Sequence, residues 1–331
     1  MLYYEIFNHS HIISINQKDG KPMIKVKHLT KKYGANVALD DVSFSVKAGE
    51  IAGFLGPNGA GKTTTMNIIT GYLSSTSGTV TVDGYDILEQ PTEAKKRIGY
   101  LPEVPPLYPD MTVDEYLRFI YELKRATQKK EAHFNEICEL TGISAVRGRL
   151  IKNLSKGYRQ RVGIAQTLVG NPPVLILDEP TVGLDPKQII EVRSLIRKLG
   201  KKHTVILSSH ILSEVQAICD RIIVLNNGKL VADSTSQSLS DRLTDGNSII
   251  VRAVGKAADI QAVLNSVKTV KRCEKLSEKD GAAEFSVTIS SAESARQDIF
   301  YAMAAKKLPI IEMRQREYSL EDIFLSLVDK K

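Results

Sequence analysis

Cysteine is scarce in this 331-residue chain, with three in all. Cys138, Cys219 and Cys273 stand far apart and show no metal-ligand spacing, which argues against a disulfide framework and a zinc site and suits a reducing interior. Long apolar runs are also missing. No stretch approaches the roughly 20 apolar residues that a spanning helix needs, so no such helix is expected. Met1 to Pro22 carries scattered apolar residues but neither a basic n-region nor a small-residue cleavage site, so it does not read as a secretion signal. A disordered composition is absent too: 42% of residues are hydrophobic and 25% charged, ordinary for a globular chain of about two domains. The net charge of +7 favours an anionic surface, lipid or nucleic acid, although a solvated exterior carries such a surplus equally well.

What is present is concentrated in one stretch. Gly56, Pro57, Asn58, Gly59, Ala60, Gly61, Lys62, Thr63 and Thr64 fit G-x-x-x-x-G-K-[ST] in full. The apolar run Ile51 to Leu55 before it reads as a buried strand, and Thr64 to Thr70 after it as a helix stopping at Gly71. In that order, backbone N–H groups can surround phosphate oxygens at a helix N-terminus. Lys62 is then placed for the β- and γ-phosphates of a nucleoside triphosphate and the Thr63 hydroxyl for Mg²⁺. A glycine-rich turn with an exposed lysine is the plain alternative, and the flanking strand and helix weigh against it.

Along the chain, residues 1–22 read as an extension, 23–233 as a nucleotide-binding domain and 234–331 as an accessory domain. The run from Met23 alternates Ile24, Val26 and His28 against lysines, as an exposed edge strand would. Asp83-Gly84 suits a hairpin turn. From about 90 to 169 the pattern is helical: Thr112 with Glu115 makes a capping box, with Met111 and Tyr116 as its staple, and a second helix precedes Gly142. The accessory domain reads strand, helix, strand, strand, helix, strand, the order of an α+β ferredoxin-like unit, followed by a capped helix at 319–328.

Three apolar strands deliver polar residues at their carboxyl ends. Val174 to Leu177 leads to Asp178 and Glu179, Val205 to Leu207 to His210, and Ile222 to Leu225 to a turn. Ligands collect at such ends of a mainly parallel α/β sheet. Hydrolysis of a γ-phosphate needs a metal, a positioned water and charge compensation. Asp178 suits the Mg²⁺ shell, Glu179 the polarising of water, and His210 the sensing of the γ-phosphate; otherwise they are polar strand-end residues.

With these residues in place, the segment Leu154 to Val162, LSKGYRQRV, completes a resemblance to the nucleotide-binding subunits of ATP-binding cassette (ABC) transporters. Covering about Met23 to Ser234, it implies a P-loop NTPase cassette: a mainly parallel core, an antiparallel β subdomain and a helical subdomain. It further implies that Ser155 and Gly157 clamp the γ-phosphate held by a second subunit, so that two cassettes sandwich two ATPs head to tail. Because this one chain carries every element for hydrolysis, a homodimer is expected ahead of a heterodimer, the alternative pairing. By the same resemblance Tyr33 stacks on adenine, Asp185 is the D-loop aspartate and His210 the switch histidine. Two departures stand out. Lys156 and Tyr158 replace a glycine and the glutamine of the signature, and Glu103 occupies the Q-loop position, where a carboxylate acts through Mg²⁺ or water. With the SLEDIF ending, they resemble the bacterial branch whose permease is a separate polypeptide. That implies a peripheral subunit on the cytoplasmic membrane face, with export the commoner task there. A soluble ABC-type ATPase acting on nucleic acid or ribosomes is the alternative; such proteins usually carry two cassettes or long coiled-coil insertions, and no nucleic acid partner is expected here. A P-loop kinase lacks the signature, and a structural relic would not need Asp178, Glu179 and His210.

Overall fold

The computed structural model describes residues 22–235, 248–290 and 292–315. The extension, apart from Pro22, and the helix expected at 319–328 lie outside them. Contacts divide the chain between Ser236 and Gln237 into two compact units. Ser234, expected to open the second, instead ends a strand of the first and pairs with Ile222.

In the first unit, strands β1 (Pro22–Tyr33), β2 (Asn36–Lys47), β4 (Ser77–Val82) and β5 (Tyr85–Asp86) form an antiparallel sheet in the order β2-β1-β4-β5. β1 therefore lies inside the sheet, paired on both sides, and is not the exposed edge strand that the sequence suggested. Alternation reports only that one face is buried, which holds for interior and edge strands alike. His28 also leaves the pattern: its φ is 49°, the register shifts beside it, and Leu29 takes the next buried place. At the β4–β5 turn Asp83 and Gly84 both have positive φ, 49° and 87°, as a type I′ hairpin requires.

The second sheet is parallel except at one edge. It comprises β3 (Ile51–Leu55), β6 (Ile98–Leu101), β7 (Val174–Leu177), β8 (Thr204–Ser209), β9 (Arg221–Asn226) and β10 (Lys229–Ser234). Their order is β10-β9-β3-β8-β7-β6, with β10 antiparallel to β9. β3, β7 and β8 are buried throughout, as strands covered on both faces are, although β8 also buries Thr204, Ser208 and Ser209. Helix α1 (Lys62–Ile69) shares an apolar core with both sheets, where Phe44 meets Phe54 edge to face at 4.9 Å.

Residues 90–169 are not wholly helical: after the short α2 (Pro91–Lys96), β6 belongs to the parallel sheet. Helices α3 (Val113–Leu123), α4 (Lys130–Thr141) and α5 (Lys156–Leu168) follow. The Thr112–Glu115 capping box closes the start of α3, and Gly142, with φ 69°, ends α4. Helices α6 (Pro186–Gly200) and α7 (Leu212–Ile218) flank β8.

The second unit contains β11 (Ser248–Val254), α8 (Ala257–Ser266), β12 (Val270–Lys279), β13 (Ala282–Ile289), α9 (Ala292–Ala305) and β14 (Ile310–Gln315). Its antiparallel sheet runs β12-β13-β11-β14. Element order and strand order together are those of a ferredoxin-like unit, with a core built around Val251, Ile260, Phe285 and Ile299.

Candidate functional site

The site begins where β3 ends. Its last residue, Leu55, leads into a loop whose shape depends on two glycines. A Cβ on Gly56 would lie 2.4 Å from the carbonyl oxygen of Leu225, so the loop passes too close to β9 for any side chain. Gly61, the N-cap of α1, has φ 105°, a left-handed value that favours glycine. From this turn α1 starts at Lys62 with no side-chain cap, presenting its first amides to the loop. Lys62 is buried and its Nζ donates to the carbonyls of Gly56 at 2.7 Å and Pro57 at 3.2 Å. Burial pushes its ammonium below the usual lysine value, opposed by Glu179, Asp178 and Glu103, which favour the charge.

Neighbouring strand ends complete the cluster. Asp178 is fully buried; Ser208 Oγ donates to its Oδ1, while Oδ2 has no hydrogen-bond partner among the described residues. Glu179 follows with φ 48°, an uncommon left-handed conformation for a non-glycine residue. Its N–H donates to Ser208 Oγ at 2.9 Å. Glu179 Oε1 lies 3.9 Å from Lys62 Nζ, and Oε2 lies 3.0 Å from Nδ1 of the half-exposed His210.

Lys62, Glu179 and His210 border a cleft of about 310 Å³, lined also by Asn58 to Gly61, Thr63, Thr64 and Glu103, whereas the fully buried Asp178 is not among its lining residues. Ala38 and Val182 also line it, and no polar signal in the sequence marks either. A hard divalent cation fits the donor set. Mg²⁺ takes one or two protein oxygens and completes its shell with phosphate and water. The unpartnered Asp178 Oδ2 and the Thr63 hydroxyl offer such oxygens, with Glu103 at the rim.

Other expected residues do not line that cleft. Tyr33 is half-exposed near the β1–β2 turn, with Lys31 Nζ 5.1 Å from its ring centroid. Ser155 is the N-cap of α5, its hydroxyl accepting from Tyr158 N–H at 3.3 Å. Asp185 caps α6, accepting from Gln188 N–H at 2.9 Å. Gly157 packs where a Cβ would fall 2.6 Å from the Gln188 side chain, so the starts of α5 and α6 form one corner of the unit.

A family model described as ABC transporter matches residues 39–182, and one described as ATP-binding protein DrrA1-3-like, C-terminal domain, matches residues 237–328. The linearmycin resistance ATP-binding protein LnrL of Bacillus subtilis (strain 168) is 32% identical over 312 residues, 93% of this chain and 99% of its own. The bacitracin transport ATP-binding protein BcrA of Bacillus licheniformis is 38% identical over 239 residues, 69% of this chain and 78% of its own. A solved dimeric structure of an ATP-binding cassette in a post-hydrolysis state, bound to ADP and Pi, is 29% identical with a TM-score of 0.59, covering 64% of this chain and 98% of that one. The chain belongs to the ATP-binding proteins of ABC transporters, whose nucleotide-binding cassettes are ATPases that drive transport.

Proposed function

We propose that the chain hydrolyses Mg²⁺-ATP as one half of a head-to-tail pair, most simply a homodimer, seated on a separate membrane permease. The observation that carries this reading is the cluster of Lys62, Glu179 and His210 around one cleft, with an unpartnered Asp178 oxygen beside it. Lys62 and the amides of Gly59 to Thr64 hold the β- and γ-phosphates. Thr63 and Asp178, with Glu103 directly or through water, hold Mg²⁺. The metal supplies neutralisation of charge on the β- and γ-oxygens. Glu179 accepts the proton of the attacking water or fixes its orientation, and His210 holds that carboxylate while reading the γ-phosphate. Tyr33 stacks on adenine, and Ser155, Gly157 and Asp185 meet the nucleotide of the second copy.

Export is the direction proposed, since relatives carry the names linearmycin resistance and bacitracin transport. The peripheral position proposed is the cytoplasmic face of the membrane; no described helix is long and apolar enough to cross a membrane. Residues from 237 onward act as an accessory unit, for which the match to an ATP-binding protein C-terminal domain speaks. The test is recovery of the tagged chain from detergent-solubilised cells. Recovery with a small polytopic membrane protein, insensitive to nuclease, supports the reading. Nuclease-sensitive recovery with RNA or DNA and no membrane protein contradicts it.

A further inference from the structure

Glu214 is a buried carboxyl group with no task in the reaction described so far. It sits on α7 with 4% of its surface exposed. Its Oε2 accepts from Thr181 Oγ1 and, at 3.2 Å, from Ser209 Oγ, and its Oε1 faces the Arg193 guanidinium at 3.6 Å. Thr181 stands two residues after Glu179, and Ser209 immediately before His210. The Ser209 hydroxyl also accepts from Ile211 N–H at 3.0 Å, closing the turn that contains His210. A single carboxyl group thus ties together the two segments that carry Glu179 and His210.

Both segments need such a tie. A non-glycine residue in the left-handed region persists only where its surroundings over-determine it, and Glu179 is in that state. Ser208 Oγ fixes its N–H on one side. On the other, Pro180 accepts from the buried Gln160 amide at 2.8 Å, and Thr181 is fastened to Glu214. A carboxyl group buried here carries a desolvation cost that an apolar side chain would not, so packing alone gives no reason for it.

We infer that Glu214 is a positioning residue for ATP hydrolysis, holding Glu179 and His210 in register through the Thr181 and Ser209 hydroxyls without touching nucleotide. The inference rests on the roles proposed above for Glu179 and His210. Phosphate binding by Lys62 and the loop uses none of these bonds, so the loss belongs in kcat and not in ATP affinity.

Steady-state ATP hydrolysis by the full chain tests this, with Thr181→Val, Thr181→Ser, Ser209→Ala and Glu214→Ala beside Glu179→Gln, and fluorescent ADP as the binding probe. Thr181→Val and Ser209→Ala each lower kcat by about tenfold, with KM and ADP affinity within about twofold of wild type. Thr181→Ser keeps the hydroxyl and restores kcat to within about threefold. Glu214→Ala falls at least as far as Thr181→Val; if it does not fold, the two hydroxyl variants decide. Wild-type kcat in both hydroxyl variants, while Glu179→Gln is inactive, overturns the inference and leaves the role of Glu179 standing. So does a joint fall of kcat and ADP affinity unrepaired by Thr181→Ser, which marks general loosening. Wild-type turnover by Glu179→Gln removes the role of Glu179 itself, and the inference with it.

Discussion

Lys62 Nζ lies 3.9 Å from Glu179 Oε1, inside a site where both side chains are buried. The cation proposed to bind phosphate and the carboxylate proposed to polarise water therefore belong to one charge cluster, and removing the cation has two effects. The phosphates lose a charge-assisted donor, and Glu179 and Asp178 lose a compensating charge. Lys62→Ala is expected to weaken ATP binding by about 10- to 100-fold, from the roughly 1.5–3 kcal/mol of such bonds. Titration with a fluorescent ATP analogue measures this, and unchanged affinity contradicts it.

Gly56→Ala should damage the same site by geometry alone. The added Cβ would fall 2.4 Å from the Leu225 carbonyl and 2.9 Å from Ala60 Cβ, and a backbone atom of an interior strand cannot swing aside. Overpacking of this kind costs about 1–3 kcal/mol. Urea unfolding should show that loss together with weakened nucleotide binding, whereas a wild-type midpoint would mean that the loop moves freely.

Much of this site is legible in the sequence because its chemistry is tied to spacing. The run from Gly56 to Thr64 can be read directly, Asp178 and Glu179 stand out because they follow the wholly apolar strand Val174–Leu177, and His210 because it comes soon after the apolar run Val205 to Leu207. Glu214 is not legible: a glutamate in a helix is ordinarily exposed, and only the fold turns it toward Thr181 and Ser209. The interior position of β1 escapes for a related reason, since alternation fixes its buried face and says nothing about its neighbours. Ile98–Leu101 is a four-residue apolar run within helical surroundings, too short to be separated from a helix by periodicity. Asp185 and Ser155 are recognisable as helix caps, but the corner they share depends on Gly157 meeting Gln188.

Away from the cleft, two buried histidines are expected to contribute to an acid response. His203 is buried with Nδ1 2.8 Å from the Pro172 carbonyl, and His133 is buried with Nε2 accepting from Gly170 N–H at 3.1 Å. Burial holds both below the usual value of 6.5. Near pH 8 these groups are neutral in folded and unfolded chains alike and contribute no slope. As pH falls below 6.5, the unfolded histidines take up protons that the buried ones resist, so stability declines. Urea midpoints at a series of pH values should fall in that range for wild type, and less steeply for His203→Gln. Parallel curves would contradict this.

Glu103 lines the cleft beside Lys62 but is exposed, whereas Glu179 is buried and bonded to His210. Glu103→Gln is therefore expected to slow hydrolysis less than Glu179→Gln, because the role proposed for Glu179 is to act on the water. Comparing kcat for the two variants checks the ranking, and equal losses would reverse the assignment.

The central claim is tested most directly by gel filtration of Glu179→Gln with ATP and Mg²⁺, alongside its hydrolysis rate. The substitution keeps the size of the side chain and one acceptor while removing the carboxylate, so turnover should fall by about 10²-fold or more. In the proposed arrangement Lys62, Thr63 and Asp178 still hold phosphates and metal, which would leave ATP to bridge Gly56 to Thr64 of one copy and Ser155 to Gly157 of the other. The predicted result is an ATP-dependent dimer for Glu179→Gln and none for Lys62→Ala. Wild-type turnover by Glu179→Gln, or tight ATP binding by a protein that remains a monomer, would contradict it.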